Sequence, residues 1–297
     1  MDRILLVARN VFRGILHGRI VYIWIAGLVL LFLRAAPALL IDFGNQAAQT
    51  YMRKNAVSGG LDTWSTLCIA LAIFLGASAV GAEITKKTIV TVFARPVHRW
   101  EFLVGKWLGI QCFALLSLVV GLTVSFGLSR YLDAEFESKV LAVSLAHTAV
   151  AILLYSGLAI AFGTLLTPGV SGALTIVVVF LPILVTNLVE STDSAYRAAG
   201  VTLNYIVPSG YTSHYSRTIP NPLPRNAFGR GRFGRGGNGG GPPDRGFGDI
   251  PPVPQPGDPP AIDYSAETTV LFKNVGYGAV FFTLGCLIFL RRDLRLS

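Results

Sequence analysis

The sequence predicts an all-α integral membrane protein with six transmembrane helices, preceded by an N-terminal amphipathic helix at the membrane interface. Hydrophobic residues make up 52% of the 297 residues and charged residues only 14%, whereas a soluble domain carries about 25% charged residues. Six apolar stretches have the ~18–20 residues that a helix needs to cross a hydrocarbon core of ~30 Å. Because backbone polar groups must be satisfied internally in lipid, each stretch is predicted to be a helix.

Residues 1–19 have the pattern of a helix lying in the cytoplasmic interface. Arg9, Arg13 and His17 recur at intervals of four on one helical face, and apolar side chains occupy another. The alternative is a simple extension of the first span. A cleaved signal peptide is disfavoured because the following apolar run is long and no small-residue cleavage pattern comes after it.

The predicted spans alternate with short connections. The spans are residues 20–41, 66–82, 107–129, 140–166, 169–189 and 270–290. The connections are 42–65, 130–139 and 190–269 on the extracytoplasmic side, and 83–106, the turn 167–168 and the tail 291–297 on the cytoplasmic side. The fourth and fifth spans are separated by so few residues that they must form an antiparallel hairpin.

Basic residues are distributed unequally between the two sides. Four precede the first span, five lie within 83–106 and three follow the last span, whereas the short loops on the other face hold only Arg53, Lys54, Arg130 and Lys139. The positive-inside rule therefore predicts that both termini are cytoplasmic. The net charge of +9 is then mainly a consequence of topology.

The segment 221–260 is dominated by Gly, Pro and Arg, a composition that cannot bury a core, and it predicts a disordered extracytoplasmic linker. A more structured piece is expected before it, around residues 196–215. Gly229–Gly234 matches the letters GxGxxG, but no strand or helix flanks it. An RGG-type RNA-binding tract is disfavoured because the linker lies outside the cytoplasm, so no nucleic-acid partner is expected.

Several polar residues within the spans are candidate functional positions. Arg34 could snorkel to the interface and a neutral His147 could bond a neighbouring helix, or either could contact substrate.

The string Gly169-Val-Ser171-Gly172 resembles the GxSG of rhomboid proteases, whose serine needs a histidine in a later span. The later spans hold none, which makes a protease the weaker alternative. The cysteines, Cys68, Cys112 and Cys286, lack metal-ligand spacing and are interpreted as packing residues, so no metal site is predicted.

The segment 83–106 is too polar for membrane and is strongly patterned. Its middle, 88–93, can form a short apolar patch that Pro96 ends, and Trp100 begins a second element leading into the third span. Charges beside a span often serve only as anchors. Anchoring does not explain the string Arg95-Pro96-Val97-x-Arg99, which lies in the middle of the loop. This string favours a compact element that transmits force to two helices.

This segment resembles the cytoplasmic loop of ATP-binding cassette (ABC) type-2 exporter permeases, especially the branch that accompanies multicopper-enzyme maturation systems. In that loop a glutamate ends span two, Gly-Thr-Ile or similar follows, and Arg-Pro-Val-x-Arg, an acidic residue and Gly-Lys open span three. The matching positions here are Glu83, Thr88, Arg95, Pro96, Val97, Arg99, Glu101, Gly105 and Lys106. Lys87, where many members have glycine, and the linker 221–260 depart from the pattern.

The resemblance implies the transmembrane permease subunit of an ATP-driven exporter in the cytoplasmic (inner) membrane of a prokaryote. It also implies that the loop 83–106 couples to separate ABC ATPase subunits, and that a second permease copy or paralogue completes the pathway. The chain has no GxxxxGK[ST] phosphate loop. It is therefore expected not to be an enzyme and to bind no cofactor, with ATP and Mg used by the partner. A six-span scaffold without transport is the main alternative.

Overall fold

The computed structural model describes residues 2–40, 46–85, 98–134, 138–189, 194–209 and 264–291. These residues form eight α-helices and no strand, which confirms the predicted all-α class. The helices are α1 (Asp2–Leu16), α2 (Ile20–Leu40), α3 (Gln46–Thr85), α4 (Arg99–Tyr131), α5 (Ser138–Gly163), α6 (Pro168–Val189), α7 (Ser194–Ile206) and α8 (Tyr264–Arg291).

The long helices are those of a multi-pass membrane protein. In the described residues, α3, α4, α5, α6 and α8 are each long and apolar enough to cross a membrane, and the pair α1 and α2 qualifies together as a sixth, broken span. α2 alone has 21 residues, or ~30 Å of helix. A 63° bend separates it from α1, as an interfacial α1 followed by a spanning α2 requires.

The predicted extracytoplasmic loop 42–65 is wrong from residue 46 onward, because that part is the N-terminal half of α3. Good helix formers (Gln, Ala, Met, Arg and Lys) dominate its first turns. Val57, Leu61 and Trp64 are buried at helical spacing. Their tertiary packing stabilises the helical conformation of the segment that contains Gly59 and Gly60. At 40 residues, α3 is ~60 Å long and exceeds the hydrocarbon thickness.

α3 is the central helix of the bundle. It packs on α2, α4, α5 and α6, while α5 also packs on α8 and α1 packs on α4. One buried cluster forms around Trp64 and Tyr155, and a second forms around Phe102, Leu103 and Phe289. The apolar faces of α6 and α8 remain mostly exposed, as expected of helices that face lipid or another subunit.

The predicted hairpin of the fourth and fifth spans is confirmed. α5 and α6 contact each other and are joined by residues 164–167 alone. Pro168 occupies the first position of α6, where a missing N–H costs nothing. The Thr164 N–H donates to the Ile160 carbonyl at 3.0 Å, so the last turn of α5 is closed before the chain reverses.

A short helix, α7, lies within the structured piece expected before the linker, and it packs on α6. Asn274 of α8 holds the residues that follow α7: its Oδ1 accepts from the Ser209 N–H at 2.9 Å, and its Nδ2 donates to the Ser209 carbonyl at 3.1 Å. This two-way contact holds Ser209, just after α7, against α8. The predicted linker 221–260 and the tail 292–297 lie outside the described residues.

Candidate functional site

An ion pair between a buried lysine of α4 and a partly exposed glutamate joins the end of α3 to the N-terminal part of α4. The Lys106 Nζ lies 2.7 Å from Glu83 Oε1, donates to the Ala79 carbonyl, and sits 4.7 Å from the centroid of the Phe102 ring. Only 6% of Lys106 is exposed. A charge buried to this extent needs a well-placed partner. The pair therefore ties the last turn of α3 to the N-terminal part of α4, the two helices that flank the segment 86–97.

The first turn of α4 carries two more of the predicted residues. The Glu101 Oε2 accepts a hydrogen bond from the His98 N–H at 3.1 Å, which satisfies one orphan donor and places a negative charge at a helix N-terminus. The Arg99 Nη1 donates to the Leu290 carbonyl in the last turn of α8, at 3.4 Å. Arg99 thus links the start of α4 to the end of α8.

α1 docks on the same turns of α4 through two glycines spaced four residues apart. A Cβ on Gly105 would lie 2.7 Å from the Val7 Cβ, and one on Gly109 would lie 2.7 Å from the Ala8 carbonyl oxygen. Distances this short require residues without a side chain. This GxxxG spacing permits close approach of two helices, and it fastens α1 to the helix that follows the predicted coupling loop.

We refer to this assembly as the loop base; it comprises Glu83, Arg99, Glu101, Gly105, Lys106 and Gly109. The structure describes five of the nine residues predicted for the coupling loop and brings Glu83 into contact with Lys106, whereas Arg99, Glu101 and Gly105 contact residues outside the predicted set. Thr88, Arg95, Pro96 and Val97 lie outside the described residues, as does Lys87. Sequence reasoning missed Gly109, although its spacing from Gly105 was a readable signal.

The two intramembrane candidates, His147 and Arg34, lie apart. Each one contacts a different neighbouring helix. His147 of α5 is 3% exposed, and its Nε2 is 3.0 Å from Glu267 Oε2 of α8. Arg34 is exposed on α2, with its guanidinium 2.7 Å from where a Cβ of Gly59 on α3 would lie. Glu267 escaped the sequence reasoning because it precedes the sixth predicted span by three residues.

We expect the His147–Glu267 contact to contribute measurably to stability. A neutral hydrogen bond between membrane helices contributes ~0.6 kcal/mol on average, whereas an ionised buried pair couples more strongly. A double-mutant cycle with His147→Leu and Glu267→Leu, followed by the free energy of unfolding in detergent, should give a coupling of ~1–3 kcal/mol. Single effects that add to within ~0.5 kcal/mol would show that the two residues do not interact.

Ser171 is a packing residue of the α5–α6 hairpin. It is fully buried, and its Oγ donates to the Ala159 carbonyl of α5 at 2.7 Å. The hydroxyl proton is therefore directed at a carbonyl oxygen, which cannot act as the general base that a serine nucleophile requires.

Ser171→Ala should lower the free energy of unfolding by only ~1 kcal/mol, the net contribution of one hydrogen bond, and should leave cellular function intact. Thermal unfolding and a complementation assay in cells check this. Loss of function at unchanged stability would instead support the protease alternative.

An apolar groove of about 550 Å³ runs between α3 and α6. Its walls include Ile69, Phe74, Ile176 and Phe180, and its polar side chains are Thr66 and Ser78. The groove offers an apolar molecule a surface but few fixed hydrogen-bonding groups.

A family of sequences described as "ABC-2 family transporter protein" matches residues 5–294. No curated protein matches the chain. The family match includes α1, the whole loop base and α8, so it covers nearly the entire fold. Membership of the multicopper-enzyme maturation branch stays a prediction. Because the match extends over nearly the whole chain, and the described residues hold five long apolar helices and a sixth, broken one, this chain belongs to the ABC-2 family of transporter proteins.

Proposed function

We propose that this chain is the permease subunit of an ATP-driven exporter, and that a separate ATPase docks on the segment between α3 and α4. The observation that carries the proposal is the Glu83–Lys106 ion pair. Because it ties together the two helices that flank the docking segment, a force on that segment would act on α3 and α4 jointly. α3 packs on four other helices, so its displacement would reach most of the bundle.

The loop base also contacts two other helices, α1 and α8. α1 follows α4 because Gly105 and Gly109 allow their backbones to touch, and α8 is linked through Arg99 and Leu290. Interfaces packed this closely shift as rigid units. Docking of the ATPase would therefore move α1, α4 and the end of α8 together.

ATP chemistry belongs to the partner in this proposal. The chain lacks the glycine-rich phosphate loop, so ATP and Mg are bound by the ATPase, and this chain binds no cofactor and is not an enzyme. A second permease copy or paralogue completes the pathway. The complex resides in the inner membrane of a prokaryote, with both termini of this chain in the cytoplasm, and the apolar groove between α3 and α6 favours a lipid-like or amphipathic cargo.

Affinity purification of the tagged full-length chain from its native membrane tests the proposal. In mild detergent, the expected result is recovery of a second chain with a phosphate-binding loop and of ATP hydrolysis that vanishes without Mg. Recovery of other membrane proteins with no nucleotide-binding chain would instead favour a six-span scaffold.

A further inference from the structure

A second polar site lies at the other end of α4 from the loop base. α4 has 33 residues, which separates its two ends by ~50 Å, more than the hydrocarbon thickness. At its C-terminal end, α4 and the N-terminal half of α3 enclose a pocket of about 490 Å³. The side chains lining it are Thr50, Lys54, Phe126, Ser129, Arg130 and Asp133.

The pocket presents two cations from different helices. Lys54 comes from α3 and Arg130 from α4, and within the described residues neither forms an ion pair with a carboxylate. The Arg130 guanidinium lies 5.8 Å from the centroid of the Phe126 ring, within reach of a cation–π contact. Glu135 and Glu137 follow in the sequence but lie outside the described residues. Two cations lining one pocket suit a phosphate group.

The pocket also presents one carboxylate on a fixed turn. Asp133 has φ of +51°, a left-handed conformation that aspartate tolerates better than most residues. The turn is held on both sides, because Arg53 Nη1 donates to the Leu132 carbonyl at 3.5 Å and Ser129 Oγ donates to the Ala134 carbonyl. The site therefore offers a cation-binding group beside its anion-binding groups.

The surroundings place this pocket where lipid headgroups lie. Phe126 is 59% exposed and Tyr131 is 77% exposed, and exposed aromatic residues at the end of a spanning helix mark the membrane–water interface. Phe126 is one turn from Arg130 toward the membrane centre, so an apolar surface leads directly into the charged pocket. A ligand with an acyl chain and a charged headgroup would match both parts.

We propose that this pocket binds the headgroup of a zwitterionic aminophospholipid, independently of the proposed transport function. Its phosphate accepts hydrogen bonds from Lys54 and Arg130, and its primary ammonium donates to the Asp133 carboxylate. Both signs of charge on the headgroup then have an opposite charge in the pocket, and charge-assisted hydrogen bonds are the stronger kind. The lipid joins the N-terminal half of α3 to the end of α4, opposite the loop base.

Titration of the delipidated, purified protein with lipids of identical acyl chains tests the proposal, with bound lipid counted by native mass spectrometry. Phosphatidylethanolamine should bind about tenfold more tightly than phosphatidylcholine, whose quaternary ammonium has no N–H to donate, and than phosphatidylglycerol, which has no cation. Equal affinity for all three lipids would overturn the proposal. Equally tight binding of soluble phosphoethanolamine or inorganic phosphate would also overturn it, because the ligand would not be a lipid.

Three variants distinguish the parts of the site. Lys54→Ala with Arg130→Ala should lower affinity for all three lipids at least tenfold, whereas Asp133→Asn should remove only the preference for ethanolamine. Lys139→Ala, which removes an exposed cation near the same end of the bundle but outside the pocket, should change neither. A preference that survives Asp133→Asn would contradict the assignment, and if the double variant does not fold, the wild-type selectivity and Asp133→Asn decide alone.

Discussion

Replacing Glu83 by leucine should lower the free energy of unfolding by up to about 3–5 kcal/mol, because it leaves the buried Lys106 ammonium without its carboxylate partner. The Lys106 ammonium would keep the Ala79 carbonyl and the Phe102 ring but would lose its only carboxylate contact within the described residues. Because these atoms join α3 to α4, the loss should also loosen the ends of the segment 86–97. Reversible unfolding in detergent measures the first effect, and protease sensitivity of that segment measures the second.

The compensating double variant provides the control. Buried ion pairs can often be replaced by apolar residues of similar volume with little loss of stability, so Glu83→Leu with Lys106→Met should recover most of the lost free energy. A double variant as unstable as Glu83→Leu alone would indicate that the leucine itself disrupts packing. A single variant within ~1 kcal/mol of the wild type would show that the pair does not hold the loop base together.

Replacing both Gly105 and Gly109 by leucine should separate α1 from α4. Each added side chain would occupy space held by α1 backbone or Cβ atoms less than 3 Å away, and overpacking of this kind costs ~1–3 kcal/mol per site. We expect a loss of about 2–6 kcal/mol if the sites add. Exposure of α1 can be followed by the reaction of a cysteine at position 8, which is buried in the wild type.

Gly127→Leu is the matched control, because Gly127 lies in the same helix and its Cβ would meet nothing within 4 Å. That substitution should be neutral or slightly stabilising, since leucine favours helix more than glycine by almost 1 kcal/mol. Equal destabilisation by Gly127→Leu and by the double variant would contradict a specific α1–α4 contact.

Apolar run length and loop length sufficed to predict the class of the fold, the apolar helices α4, α5, α6 and α8, and the α5–α6 hairpin. These two criteria wrongly predicted a loop at residues 46–65, because a polar sequence was interpreted as a loop. That half of α3 is helical since Val57, Leu61 and Trp64 bury a stripe on neighbouring helices, and a stripe this narrow hardly raises the average hydropathy of the segment.

The sequence predicted which residues belong to the candidate site, but it did not predict which of them contact each other. Glu83 and Lys106 matched a family pattern, yet nothing in their spacing of 23 positions indicates that they meet. Glu101 is different, because an acidic residue three positions after a helix N-cap is a local capping signal. The pairing of His147 with Glu267 depends on how α5 packs against α8, which a single sequence does not encode locally.

Coupling through the segment 83–106 is tested most directly by the ATP hydrolysis that co-purifies with the chain when Arg95 and Arg99 are both changed to glutamate. Exposed ion pairs contribute less than ~1 kcal/mol each, so either substitution alone should be mild. If the arginines dock on an acidic surface of the ATPase, reversing both sets like charges against it, and disrupted charge pairs at such interfaces cost ~2–5 kcal/mol.

The double variant should insert into the membrane normally, yet retain less than about a tenth of the wild-type co-purifying ATPase activity. Reversal of Lys139 and Arg197, which changes the net charge by the same amount outside the coupling segment, should leave that activity unchanged. Full ATPase activity in the Arg95→Glu, Arg99→Glu variant would contradict coupling through this segment, and the two arginines would then be anchors at the membrane interface.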